Sequence, residues 1–325
     1  MIRVANGEPL PFRQEDLKIN GWAMESRLYA EDPYRNFLPS IGRLSRYRPP
    51  VEGKTPRGGI VRNDTGVFEG GEISTFYDPM IAKLCTWAPT RAEAIAAMRR
   101  ALDAFEVEGI GHNLPFLSAV MDHPRFIAGN ITTAFIAEEY PEGFQGATLD
   151  DTLLREVAAA AAAMNRVAEI RRTRISGTMD NHERRVGDNW VVTLQGQAFA
   201  VTIRADHTGS TVVFNDGTEL RVESDWVPGR PLARLVVGSA DLAIKVGKIP
   251  MGFRIRLRGA DLKHQEKRVK GGEDIEWTLP ENTVALRAYR LIGDAVQPDA
   301  DLDLLLRVKE GRLEWTPPEG EWLLV

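Results

Sequence analysis

Glu25 and Arg27 stand two residues apart in the stretch GWAMESRLYAEDP. In an extended strand that spacing puts both side chains on one face. The neighbours support a strand, because Trp22, Met24, Ser26 and Leu28 alternate with Ala23, Glu25, Arg27 and Tyr29. A guanidinium is always charged and donates in a fixed fork, so an arginine held by a carboxylate suits a developing oxyanion. The same spacing equally makes a structural ion pair, and spacing alone does not separate the two. Asp78, in the turn-forming YDPM, is the other candidate carboxylate.

Other constellations do not form. His112, His123, His182, His207 and His264 are scattered, with no H-x-x-x-H and no His/Cys metal spacing. G-x-x-x-x-G-K-[ST], G-x-G-x-x-G and G-x-S-x-G are all missing. GGIVRNDTGVFEGG is glycine-rich but lacks the lysine and following helix of a phosphate cradle, and it reads as a hairpin. The single cysteine, Cys85, cannot form an internal disulfide, so a reducing compartment is expected. Its apolar surroundings, MIAKLCTW, point to core packing.

The elements that must position these residues follow from periodicity. TRAEAIAAMRRALDAFEVEG carries a helical apolar stripe at Ala92, Ile95, Met98, Ala101, Leu102 and Phe105. Thr90 and Glu93 form a capping box at its start, and Gly109 closes the stretch. NLPFLSAVMDHPRFIAG reads as a second helix ended by a proline. Residues 1–145 are therefore expected to be a mixed α+β domain. DDTLLREVAAAAAAMNRVAEIRR is one long helix with acidic residues first and arginines last, as the helix dipole favours. Its six alanines fit either a solvated linker or a helix gripped by what surrounds it. From Asn189 the period becomes two, with strands separated by Asn-Asp-Gly, Pro-Gly and Gly-Ser turns. We expect residues 149–263 to be an antiparallel barrel whose axis that helix fills. The stretch TRISGTMDNHERRVGDN between helix and barrel reads as an exposed, polar, arginine-containing loop. Residues 264–325 give short β segments and an unassigned tail.

A net charge of -5 over 325 residues provides no basic field for nucleic acid. No run approaches the ~18 apolar residues of a membrane helix. The first residues lack the apolar core of a signal peptide, and cytoplasm is the expected location.

MIRVANGEPLPFRQEDLKINGWAMESRLYAEDPYRNFLPSIGRL, YDPMIAKLCTWAPTRAEAIAAMRRAL, EGIGHNLPFL and GNITTAFIAEEYPEGF resemble the C-terminal part of the biotin carboxylase region of biotin-dependent acyl-CoA carboxylases. The wording is nearest to the alpha subunits of the propionyl-CoA branch. The helix-plus-strands region up to FRIRLRGADLK resembles their BT domain, a barrel around a long helix that docks on a carboxyltransferase beta subunit. The resemblance implies a ligase that uses ATP, magnesium and bicarbonate to carboxylate biotin carried on a biotinyl domain. It implies that Arg27, with Glu25 beside it, binds bicarbonate and stabilises the biotin enolate, and that Asp78 lies near the biotin pocket. The family's ATP-grasp segments and its biotin-bearing A-M-K-M do not occur in the sequence. The chain is therefore expected to start mid-domain, to be inactive alone and to hold none of these cofactors tightly. Two alternatives stand beside that reading. One is a non-catalytic docking module. The other is a chimera, because GRLEWTPPEGEW resembles β modules of some glycoside hydrolases.

Overall fold

The computed structural model describes residues 1–74, 76–173, 186–195, 197–249 and 252–262, together with the backbone of short strands between 267 and 324. The chain divides into two units, Met1–Gly143 and Phe144–Val325.

In the first unit the main elements are β1 (Trp22–Tyr29), β2 (Arg46–Arg48), β3 (Ile60–Thr65), β4 (Met80–Ala88), α1 (Arg91–Ala104), β5 (Glu106–Glu108) and α2 (Leu114–Asp122). β4 is the centre of an antiparallel sheet, with β1 on one side and β3 on the other. β3 in turn pairs with Gly53–Lys54, which leaves β1 at the sheet's edge. Alternation buries Ala82, Leu84, Thr86 and Ala88 of β4, and Ala82 and Leu84 share one core with Ile95, Met98 and Leu102 of α1. Ile81 is buried directly before Ala82 because the β1–β4 register slips there: Leu28 faces Ala82, Tyr29 faces Met80, and Ile81 is the extra residue of a bulge.

The capping box is present. The Thr90 side chain accepts from the Glu93 amide, and the Thr90 amide donates to Glu93 Oε2 at 3.0 Å. Two expectations need correction. The helix ends at Ala104, before Gly109, because Phe105 and Val107 bury in alternation with Glu106 and Glu108 and β5 pairs with β2. Gly109 then turns at φ +105°, where a Cβ would lie 2.2 Å from the Arg43 carbonyl oxygen. The glycine-rich stretch is not a hairpin: β3 pairs with β4, whereas Glu72–Ile73 pairs with Gly42–Arg43. Pro124 ends the second helix as expected, because the residue before a proline is pushed out of the helical region and His123 sits at ψ 128°. α2 stops at Asp122, and Pro124 opens a new short helix, Pro124–Ala128, capped by His123.

The second unit contains the long helix α3 (Asp151–Thr173). Eight strands follow: β6 (Asn189–Leu194), β7 (Gln197–Ala205), β8 (Ser210–Phe214), β9 (Glu219–Ser224), β10 (Leu232–Val237), β11 (Ala240–Ile249), β12 (Gly252–Leu257) and β13 (Ala260–Leu262). Each pairs antiparallel with the next, giving a nearly closed barrel around the helix. Residues 158–163, all alanine, are buried with Leu154, Val157 and Met164 against Val201, Val212, Leu235 and Ile244. Eight strands enclose a space that side chains alone nearly fill. A helix at that axis must be slender, and alanine makes it so. The solvated-linker alternative is thereby set aside. Past β13 the backbone forms further antiparallel strands, with Glu321–Leu324 between Lys267–Lys270 and Ala285–Ile292. The loop between α3 and β6 falls largely at 174–185, outside the described residues. Among the described residues no helix is long and apolar enough to cross a membrane.

Candidate functional site

β1 presents the two candidates as its period requires. Ser26 and Leu28 are buried beneath the strand, while Glu25 and Arg27 lie on its open face. Arg27 Nε donates to Glu25 Oε1 at 3.0 Å. The Arg27 side chain is 57% accessible and that of Glu25 46%. The hydrogen bond to Glu25, and next that to Tyr29, hold the Arg27 guanidinium above its ordinary pKa.

Register extends this face across the sheet. Glu25 is opposite Cys85, and Cys85 is opposite Arg62; Arg27 is opposite Lys83, and Lys83 is opposite Asp64. Arg62 meets both oxygens of Asp64 at 2.8 Å, in a fork-to-carboxylate geometry. Cys85 is therefore not a core residue. It is only partly buried on this charged face, because the neighbours that point into the core are Leu84 and Thr86. Burial first, then the charges of Glu25 and Asp64, push its thiol pKa up, which disfavours the reactive thiolate.

Asp78 is exposed just before β4, where its Oδ1 accepts from the Met80 amide at 2.9 Å. It stands in the field of Glu31, whose carboxyl pKa is raised by burial and then by the Asp78 charge. The structure thus brings Glu25 and Arg27 into contact, whereas Asp78 bonds the Met80 amide and acts on Glu31 only through its charge. Glu31 was visible in sequence only as part of the Glu-Asp-Pro turn.

A residue that sequence reasoning missed is Asn113. Only 6% exposed, it accepts at Oδ1 from the Tyr29 amide at 2.9 Å. Its Nδ2 donates to the Arg27 carbonyl at 3.1 Å, and its own amide donates to the Tyr29 carbonyl at 3.1 Å. Among the described residues no three His, Cys, Asp or Glu side chains are grouped to hold a metal ion.

In the second unit, arginines of α3 fix the helix to the strands. Arg155 reaches Asp216 Oδ2 at 2.6 Å and lies over the Phe214 ring at 5.3 Å. Arg166 meets Asp188 at 3.4 Å. The Thr218 amide, then Arg155, lower the Asp216 pKa to about 2.

Comparison with known proteins places both units. The family described as "Biotin carboxylase C-terminal domain" matches residues 25–138, and "Propionyl-coenzyme A carboxylase BT domain" matches residues 157–266. Two domains of the propionyl-CoA carboxylase alpha family are present in this chain. Over 277 residues it is 72% identical to the propionyl-CoA carboxylase alpha chain of Ruegeria pomeroyi, an alignment covering 81% of this chain and 41% of that protein. It is 40% identical over 238 residues to the human mitochondrial alpha chain, covering 71% and 32%. The chain therefore spans less than half the length of these propionyl-CoA carboxylase alpha chains. A solved biotin carboxylase domain of the 2-oxoglutarate carboxylase from Hydrogenobacter thermophilus is 39% identical, covering 42% of this chain and 29% of that one at a TM-score of 0.40. The biotin carboxylase match contains Glu25, Arg27, Asp78 and Asn113, and the BT match contains most of α3 and all eight barrel strands.

Proposed function

We propose that this chain supplies the biotin-facing part of a biotin carboxylase site, and also the barrel by which an acyl-CoA carboxylase alpha subunit docks on its carboxyltransferase beta subunit. The first half is carried by the Glu25–Arg27 pair, an accessible guanidinium oriented through Nε by a carboxylate on the same strand face. In this reading Arg27 binds bicarbonate and offers a fixed positive charge to the ureido oxygen of biotin, where negative charge develops. Glu25 sets the angle of the guanidinium and keeps it from turning away. Asp78 and the partly buried Glu31 border the biotin pocket.

The donor set fits biotin: the cation is open to solvent, so a biotin borne on a separate biotinyl domain can reach it. When bound, biotin supplies the nucleophile that takes up the carboxyl group. ATP and magnesium enter through the family. Cytoplasm is the compartment proposed, in keeping with an unpaired, partly exposed Cys85.

The test is Arg27→Ala in a complete alpha subunit carrying these residues. Biotin carboxylation should fall by ~10²–10³, the usual loss for a group aimed at a developing oxyanion. The melting temperature should barely move, because an exposed ion pair adds little stability. A variant that melts early and keeps its rate would make Arg27 structural.

The helix-filled barrel favours a second reading, in which docking is the whole role of this chain. Calorimetric titration of the chain against a carboxyltransferase beta subunit, read beside the carboxylation rate of the Arg27→Ala variant, separates the two. Binding without any rate effect of Arg27 would leave docking alone.

A further inference from the structure

β1 is an edge strand, and its single ladder is irregular where Arg27 needs most support. Register slips between Leu28 and Tyr29, one residue past Arg27. The extra residue, Ile81, lies on β4, and a bulge disrupts the ladder locally, so β1 loses regular pairing just past Arg27. On the opposite, open edge the Arg27 carbonyl, the Tyr29 amide and the Tyr29 carbonyl point the same way, as groups two residues apart on a strand do. Asn113 meets all three, at 3.1, 2.9 and 3.1 Å. One residue thus acts as the missing neighbouring strand.

Asn113 occupies the N-cap of α2, where an asparagine side chain ordinarily bonds the first turn of its helix. Its side chain makes no such cap bond. The amide is committed instead to a strand more than eighty residues away in sequence. It is 6% exposed, so no solvent stands ready to replace it.

We propose that Asn113 is a positioning residue for Arg27: by clamping the backbone on both sides of the bulge, it fixes the direction in which the guanidinium leaves β1. The proposal rests on the assignment of Arg27 to the biotin carboxylase site. It adds that the site's precision comes from the start of α2, an element that bears none of the residues assigned to the chemistry.

The test is a double-mutant cycle in a complete alpha subunit carrying these residues, with Asn113→Ala, Arg27→Ala and the double variant assayed for carboxylation of free biotin and for melting. Misplacement by about 1 Å is known to cost ~10²-fold in rate. Asn113→Ala should therefore lower kcat by up to ~10²-fold in the Arg27 background. It should lower it by less than about twofold when Arg27 is already alanine, because the loss passes through Arg27. Its effect on melting should be equal in both backgrounds. Asn113→Asp keeps the acceptor for the Tyr29 amide, loses the donor to the Arg27 carbonyl and preserves volume. It should show an intermediate loss of rate, and it carries the cycle if Asn113→Ala does not fold. Independent losses that multiply in the double variant would overturn the positioning role while leaving Arg27 in place, as would a variant that melts early at full rate. A rate unaffected by Arg27→Ala would remove the assignment of Arg27 itself, and the positioning role with it.

Discussion

Glu25 and Arg27 could be found from sequence because their contact is local: a period of two puts them on one face, and a 3.0 Å bond follows. Asn113 could not. Its partners lie 84 and 86 residues away, and nothing in GHNLPF distinguishes an amide that caps its own helix from one that clamps a distant strand. Cys85 was misread for a related reason. Seven apolar or neutral neighbours describe a buried strand, but which half of that strand faces outward depends on the register with β1 and β3. Two predictions belong at this scale. Cys85, with its pKa raised by burial and adjacent carboxylates, should react with iodoacetamide at neutral pH more slowly than a free thiol, and faster once the protein is unfolded; mass spectrometry follows both. The Thr218 amide and Arg155 hold the folded pKa of Asp216 at about 2, below the ordinary 3.8 of an aspartate. Its ionised form thus contributes stability that is fully present above pH ~4 and is lost as pH falls through about 2. Asp216→Asn keeps an acceptor for the Thr218 amide and removes the charge that meets Arg155. The gap in urea midpoint between the two proteins should be widest at neutral pH and close between pH ~4 and 2. A gap constant with pH would show that the pair with Arg155 contributes nothing.

Among the elements, α1 and α3 were legible because each carries its own signals. Thr90 and Glu93 mark a start, and the six alanines mark a surface that something approaches closely. The eight strands were legible through their alternation and turns, such as Asn215, Asp216 and Gly217, with Gly217 at φ +85°. The end of α1 was not, because the apolar stripe runs without a break from the helix into Phe105 and Val107. Only pairing of β5 with β2 shows where the backbone changes. The partners of β3 were equally hidden, since glycines on both sides imitate a hairpin. The alanine axis makes a sharp prediction. Ala160 is fully buried, and Ala160→Leu forces added methylenes into a filled space. Overpacking of this kind costs about 1–3 kcal/mol, so thermal unfolding of the barrel should shift down. Replacement of exposed Val191 by leucine, on the outer face of β6, should leave it unchanged. Equal shifts for the two variants would argue against a helix gripped along its length.

At the scale of the molecule, the two units carry separable tasks in the proposed reading: the Met1–Gly143 unit orients a cation for biotin, and the Phe144–Val325 unit presents a barrel to a partner. In the sequence the change from mixed patterning to a long alanine helix and then to period-two strands falls near this division, while the separate tail expected from 264 is part of the second unit. The loop that the resemblance implies as the partner contact lies at 174–185, so its role rests on the barrel's family. The most direct test measures free-biotin carboxylation and beta-subunit affinity side by side, in a complete alpha subunit bearing Arg27→Ala or Ala160→Leu. The account predicts a crossed result. Arg27→Ala loses ~10²–10³ in rate and binds the beta subunit as before, whereas Ala160→Leu keeps its rate on free biotin and loses affinity. A rate untouched by Arg27→Ala, or rate and affinity falling together in either variant, would contradict it.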